Sequence, residues 1–122
     1  MLVERSNLAG RLRCNFRSNR IPEEKLPVKI EHELFQITQE AMTNAIRHGK
    51  ATLILVTLRW KAPNLTLQIK DNGSGIPITR LEESEGVGLR SIRERAAQIN
   101  AKLDIRTAPT RGTAIVVAIP IS

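Results

Sequence analysis

The 122-residue chain has little to stack with: three aromatic residues, Phe16, Phe35 and Trp60, and no tyrosine. Single-stranded nucleic acid is gripped largely on aromatic platforms, so that ligand class is disfavoured even though nineteen Lys and Arg stand against twelve Asp and Glu, for a net charge of +7. One cysteine, Cys14, excludes a disulfide framework. No apolar run approaches the roughly 18 residues that a membrane helix needs, and the first residues lack the apolar stretch of a secretion signal, so the chain reads as cytosolic. Zinc-finger, RRM and basic-zipper strings are missing, and so is the GxxxxGK[ST] phosphate loop. The basic surplus attracts anions without choosing among nucleic acid, nucleotide phosphates and acidic protein faces.

The length suits one ordinary domain with a real core. Arg11 to Arg17 alternates, with Leu12, Cys14 and Phe16 on one side, and reads as a half-buried strand. The stretch Ser18 to Pro27 holds Pro22 and Pro27 and is expected to be a surface connection. A helix is predicted from about Val28, with Ile30, Leu34, Ile37, Ala41, Ala45 and Ile46 recurring at three and four, Phe35 and Met42 widening the stripe, and Gly49 stopping it after His48. Thr52 to Trp60 and Leu65 to Asp71 form a probable hairpin about Lys61 to Asn64. Asn72 to Gly88 holds four of the seven glycines and reads as a loop. A second helix is expected from the Gly86 to Leu89 region to about Ile99, with Leu89, Ile92, Ala96 and Ile99 inward, followed by strands near Lys102 to Thr107 and Thr113 to Ile119. Helices on one face of a mixed sheet fit this order better than a doubly wound fold. Residues 1–10 are expected to be a residual linker or helical stub, and 11–122 the domain.

Three patches carry chemistry. In Asp71-Asn72-Gly73-Ser74-Gly75 a carboxylate at a strand end can accept a hydrogen bond from an exocyclic amine, and the glycines let backbone approach a flat ligand; a plain turn would also explain the string. Gly86-Val87-Gly88-Leu89 opens a helix, where outward N–H groups suit phosphate, although an ordinary cap has the same look. Glu40, Asn44 and His48 are four apart and share one face of the first helix. Asn44 could give a hard divalent cation an oxygen, and Arg47 and Lys50 could neutralise phosphate; the alternative is a solvated polar face.

Together and in this order the patches resemble the ATP-binding catalytic domain of two-component sensor histidine kinases. Glu40-Ala41-Met42-Thr43-Asn44-Ala45-Ile46-Arg47-His48 is similar to that family's N box, Asp71 to Ile76 to its first glycine box, Gly86 to Leu89 to its second, and Arg111-Gly112-Thr113 to its closing Gly-Thr element. Ten residues, Ile76 to Glu85, separate the glycine boxes, and the second runs into Ser91-Ile92-Arg93-Glu94-Arg95-Ala96. That short lid and Arg-Glu-Arg helix resemble the kinases serving response regulators with helix-turn-helix output.

The resemblance implies an α+β, two-layer α/β sandwich of the Bergerat type: a mixed, mostly antiparallel sheet of about five strands with about three helices on one face. It implies ATP and Mg²⁺ as cofactors. Asp71 would bind the adenine amino group, assisted by Thr113; Gly73 and Gly75 would close backbone around base and ribose, and Ile76 would line the pocket. Asn44 would coordinate Mg²⁺, with Arg47, His48 and Lys50 at the phosphates. Gly86, Val87, Gly88 and the Leu89 amide would hold phosphate at the helix start. Glu40 is the catalytic candidate, as a base or as a positioning group.

The acceptor histidine is expected on a separate dimerisation domain, with relay to a response regulator aspartate. His32-Glu33 superficially resembles an acceptor pair, but Phe35-Gln36-Ile37 departs from the acceptor pattern and His48 belongs to the N box. The partners implied are therefore that dimerisation domain and the regulator, with no nucleic acid and no membrane contact by this piece, which is expected in the cytoplasm whether or not a parent kinase is membrane-anchored. A stand-alone serine kinase of the anti-sigma-factor type shares the same boxes and is the alternative; a basic nucleic-acid-binding module ranks last.

Overall fold

The computed structural model describes residues 2–6, 12–22, 26–75, 89–108 and 111–121. Six strands form one sheet: β1 (Leu2–Ser6), β2 (Arg13–Ser18), β3 (Leu53–Lys61), β4 (Asn64–Asp71), β5 (Lys102–Ala108) and β6 (Gly112–Pro120), in the spatial order β1-β2-β3-β4-β6-β5. Only β2 and β3 run parallel; the other neighbours are antiparallel. Two helices among the described residues, α1 (Val28–Arg47) and α2 (Leu89–Gln98), lie on one face. This is the expected α+β sandwich, with one strand more than the about five expected and, among the described residues, two of the about three helices. The extra strand is β1, where a linker or helical stub was expected. It pairs antiparallel with β2, from Leu2 opposite Arg17 to Ser6 opposite Arg13, so the sheet's edge hydrogen bonds override whatever helical preference the segment has.

Period-two alternation decides which strand residues meet the helices. Ile54 and Val56 of β3, Leu65, Leu67 and Ile69 of β4, and Ile115, Val117 and Ile119 of β6 are buried in a single cluster. From above, α1 contributes Leu34, Ile37, Ala41 and Ala45, and α2 contributes Ile92 and Ala96. Small Ala41, Ala45 and Ala96 let the helices sit close to the sheet and to each other. Phe35 and Ile46, expected in the core stripe, are 58% and 41% exposed. They sit on the flanks of α1, outside the buried cluster. Phe35 borders an apolar groove of about 490 Å³ between α1 and strands β2 to β4.

Pro27 precedes α1, suiting a first turn that needs no N–H from the preceding residue. At the other end Lys50, not Gly49, takes the left-handed conformation, with φ 52°, and Ala51 N–H donates to the Ala45 carbonyl at 2.9 Å. Gly49 is required for a different reason: a Cβ there would come within 3.6 Å of the Gly73 Cα and 3.0 Å of the Ala45 oxygen. Asn100, φ 54°, closes α2 in the same left-handed way. The β3–β4 turn contains a cis Ala62–Pro63 bond. No helix among the described residues is long and apolar enough to cross a membrane.

The Arg93-Glu94-Arg95 string resolves into three different environments. Arg93 is exposed, Glu94 makes an exposed pair with Arg90, and Arg95 reaches across to α1, where its Nη1 lies 2.8 Å from Glu33 Oε1. The Glu33 and Arg95 side chains are 14% and 31% exposed, and Arg95 Nε is buried without a partner. Removing the acid therefore leaves a guanidinium with two unmet donors, whereas replacing the Arg removes the orphan as well. Glu33→Ala should lower unfolding free energy by about 1–3 kcal/mol, and Arg95→Met by less, in denaturant titration. Equal losses would show that the pair matters only through packing.

Candidate functional site

Strand pairing builds a polar row on the helix-facing side at one end of the sheet. Asp71 ends β4 opposite Ile54, and Thr107 of β5 stands opposite Thr113 of β6. Gly73 N–H donates to Asp71 Oδ1 at 2.8 Å, and the Thr113 backbone N–H donates to the same carboxylate. The Thr113 and Thr107 hydroxyls are 3.1 Å apart, and Thr107 Oγ1 also donates to the Gly112 carbonyl at 3.2 Å. Thr113 is 7% exposed, the one buried polar residue among those described.

Burial pushes the Asp71 carboxyl above its ordinary value of 3.8, and the N–H groups of Gly73 and Thr113 oppose that shift without cancelling it. The protein thus holds a partly desolvated carboxylate at a strand end with only backbone donors to satisfy it. Its remaining acceptor capacity suits an outside donor such as an amine.

The loop after Asp71 is stitched to the end of α1. Ser74 N–H donates to the Gly49 carbonyl at 2.9 Å. Asn72 reaches over to the start of β3: its Oδ1 accepts from Thr52 N–H and Leu53 N–H, both at 2.9 Å, and its Nδ2 donates to Thr52 Oγ1 at 2.9 Å. Steric room is absent at three places. A Cβ on Gly73 would lie 2.7 Å from the Gly49 oxygen, one on Gly75 (φ +82°) would lie 2.7 Å from the Ala108 oxygen, and one on Gly112 (φ +86°) would fall on the Asp71 carbonyl.

One turn inside the end of α1, Asn44 is half-buried and its carbonyl accepts from His48 and Gly49 at 3.0 and 3.1 Å. Its Nδ2 is buried with no partner. Buried amides are normally satisfied, and among the described residues this donor is not, which leaves it open to an acceptor. Glu40, a turn earlier, is half-buried, and Arg47, His48 and Lys50 are exposed around the helix end. No group of three or more His, Cys, Asp or Glu side chains fit to enclose a metal occurs among the described residues. The orphaned Nδ2 is a donor and suits an acceptor such as a phosphate oxygen, while the Oδ1 of the same amide is the atom a hard cation would take.

Of the residues singled out in the sequence, Asn44, Asp71, Gly73, Gly75 and Thr113 belong to elements that meet at this end of the sheet, with Arg47, His48 and Lys50 beside them. Leu89 is fully buried at the first position of α2, so its side chain is core and only its backbone could serve a ligand. Ile76, Gly86, Val87 and Gly88 lie outside the described residues. His32 is an exposed residue of the first turns of α1. A shallow concavity of about 200 Å³ at the same end of the sheet is lined by Asp71, Thr107, Gly112 and Thr113 together with Lys70, Arg106 and Ala114, whose side chains belong to the opposite face of the sheet. The larger apolar groove lies over β2 to β4, against residues that carry none of this chemistry.

Two residues were missed in the sequence. Thr107 shares its strand face with Leu103 and Ile105, and pairing with Thr113 was implicit in the short β5–β6 connection. Asn72 reads as half of an Asn-Gly turn, and nothing local reveals that its partners are twenty residues upstream.

Two outcomes are expected from this geometry. Gly112→Ala should cost on the order of 3 kcal/mol, because it combines a left-handed backbone with a clash against β4 backbone, and clearly more than Gly49→Ala; denaturant midpoints compare them. For Asp71 the folded state holds its proton to higher pH than the unfolded chain, so the stability linked to this group is present below 3.8 and lost as pH rises through the raised value. Asp71→Asn should match or exceed the parent in Tm at neutral pH, the gap closing on acidification; a Tm deficit that widens at neutral pH would contradict the burial argument.

The comparisons with known proteins agree with this geometry. The family described as histidine kinase-, DNA gyrase B- and HSP90-like ATPase matches residues 29–122. The sensor protein VraS of Staphylococcus saprophyticus is 42% identical over 103 residues, and that of Staphylococcus aureus 43% over the same length. Each alignment covers 84% of this chain and 29% of the relative, so the chain spans less than a third of these proteins. Among solved structures, the blue-light activated histidine kinase of Erythrobacter litoralis superposes with a TM-score of 0.72 at 23% identity, over 89% of this chain and 35% of the other. The ATP-binding domain of PrrB from Mycobacterium tuberculosis superposes at 0.69 and 23% identity, over 88% and 79% respectively. These last two matches speak for the fold. The family match and the identity to the sensor proteins go further: the chain belongs to the histidine kinase-, DNA gyrase B- and HSP90-like ATPases and is homologous to sensor histidine kinases.

Proposed function

We propose that the chain binds ATP with Mg²⁺ and transfers the γ-phosphate to a histidine on a separate dimerisation domain, for relay to a response regulator aspartate. The observation that carries this reading is the pairing of a desolvated, backbone-held Asp71 carboxylate with an unpartnered buried amide on Asn44, two groups on elements that the Ser74–Gly49 contact ties together.

In this reading Asp71 accepts the adenine amino hydrogen, with Thr113, braced by Thr107, beside the same base. Gly73 and Gly75 keep the loop free of side chains where base and ribose lie, next to Ile76. Asn44 would hold Mg²⁺ through its Oδ1, and the ion would supply neutralisation of the phosphate charge. Arg47, His48 and Lys50 meet the phosphates from the α1 side. Gly86, Val87 and Gly88, which lie outside the described residues, and the Leu89 N–H are the remaining phosphate contacts of this reading. Glu40, one turn from Asn44, positions the acceptor or takes its proton. Phosphoryl transfer asks mainly for placement and charge neutralisation, and this set supplies both.

Calorimetry should show Mg²⁺-dependent ATP binding, with GTP weaker by on the order of 100-fold, because a site built for an amine leaves buried polar groups unpaired against an oxo group. Asp71→Ala should weaken ATP by roughly 10- to 100-fold, the worth of one charged hydrogen bond, while the circular dichroism spectrum stays unchanged. The chain alone should scarcely label with γ-phosphate. Mixed with a dimeric acceptor-histidine fragment of a sensor kinase whose catalytic domain matches this one, it should give acid-labile phosphate on that fragment. Acid-stable phosphoserine on another protein would point to the anti-sigma-factor type of kinase instead, and unchanged affinity in Asp71→Ala would overturn the site.

A further inference from the structure

The charge of the chain is not concentrated at this site. Opposite the helices, the sheet presents a second face, and alternation fixes what it carries. Cys14, Phe16, Leu58, Trp60, Leu103 and Ile105 pack toward the core, so their strand neighbours point the other way. Those neighbours include Arg13 and Arg17 on β2, Arg59 on β3, Lys70 on β4, and Lys102 and Arg106 on β5, all exposed. The acid among the described side chains of this face is Asp104, which pairs with Arg106 at 2.8 Å; on β1, Glu4 stands opposite Asn15 in register. Between the cations lie Thr57, Thr66, Gln68, Ala114 and Ala118, with the half-buried aliphatics Leu53, Leu55 and Val116 among them.

We infer that this open face is an electrostatic docking surface for an anionic lipid bilayer. Three features select that partner. The cations are spread over four strands, on the order of 10 Å apart by the sheet repeat, which is also the distance over which salt screens one charge from the next. Such a lattice engages an extended sheet of negative charge better than any point ligand. All three aromatics lie elsewhere: Phe16 and Trp60 pack inward, and Phe35 is on α1. The face therefore lacks the aromatic anchors of a tight protein interface and the stacking platforms of single-stranded nucleic acid. It is also a broad sheet without a helix or ribbon projecting to enter a duplex groove. Contact needs no inserted segment, consistent with the lack of any apolar run. Lying on its open face, the domain would keep α1 and α2 pointed away from the lipid and the Asp71 end at the rim, open to nucleotide.

The test is sedimentation of the full chain with vesicles of phosphatidylcholine alone or with phosphatidylglycerol, at low and physiological salt. Binding should require phosphatidylglycerol and weaken with salt. Arg17→Gln, Arg59→Gln and Lys102→Gln together should lower vesicle affinity on the order of 100-fold, at about fivefold per basic residue near the surface. A control of equal charge on the helix layer, Lys29→Gln, Arg90→Gln and Arg93→Gln, should keep most of it. Thermal unfolding confirms that both variants fold. Equal losses in the two variants would mean that net charge rather than this face attracts the membrane. Binding to neutral vesicles, no binding to either vesicle, or displacement by duplex DNA at matched phosphate concentration would each overturn the inference, the last in favour of nucleic acid.

Discussion

The end of the sheet that carries the site exists because backbone approaches backbone there more closely than any side chain allows. Gly49 meets Gly73, Gly75 meets Ala108, and Gly112 lies against the carbonyl of Asp71. Three connections, leaving α1, β4 and β5, are thereby drawn into contact. Asp71 sits where they converge, with its carboxylate held by the N–H groups of Gly73 and Thr113. A side chain at any of these glycines would push the connections apart and turn the acid toward water, which would lower its cost and remove its selectivity. The desolvated carboxylate is a consequence of the packing constraint, and the constraint is written in four glycines.

Stability and binding draw on different parts of the molecule. The hydrophobic cluster runs under α1 and α2, and the Glu33–Arg95 pair locks those helices to each other away from the polar row. At the site the balance reverses: burial raises the Asp71 carboxyl above its ordinary value, and the Asn44 Nδ2 has no partner among the described residues. Both groups weaken the isolated fold slightly. A ligand that offers an amine to one and an oxygen to the other relieves both at once, so the same defects that cost stability become differential affinity.

Much of this was legible before any coordinates, for a physical reason. Alternation and three-four spacing are set by burial, and they located β2 to β6, α1 and α2 to within a residue or two, including Leu89, Ile92, Ala96 and Ile99 as the inner side of α2. The local strings around Asn44, Asp71 and Thr113 were legible because special backbone and polar chemistry concentrate in short runs. What escaped depends on partners distant in sequence. β1 forms because an edge was free beside β2, which no periodicity of five residues could announce. Phe35 and Ile46 satisfied the helical period, yet both stay exposed on the flanks of α1, Phe35 at the border of an apolar groove over β2 to β4. Asn72 and Thr107 became significant only when pairing brought Thr52 and Thr113 beside them.

The distribution of charge completes the division of labour between the two faces of the sheet. The helix-facing side keeps its ionisable groups few and places one acid at the rim. The opposite side is where arginine and lysine accumulate, one strand after another, with threonine, glutamine, alanine and the half-buried Leu53, Leu55 and Val116 between them. An exposed β-sheet face left merely to face water could carry mixed charges, and mixed charges give solubility with less self-repulsion. A face with cations on four strands and its described acid engaged by a neighbouring arginine accepts that repulsion across its whole breadth. In the docked state inferred above, that repulsion would be offset by an extended negative surface, and it is the same sheet whose far side, through its converging strand ends, fixes the position of Asp71.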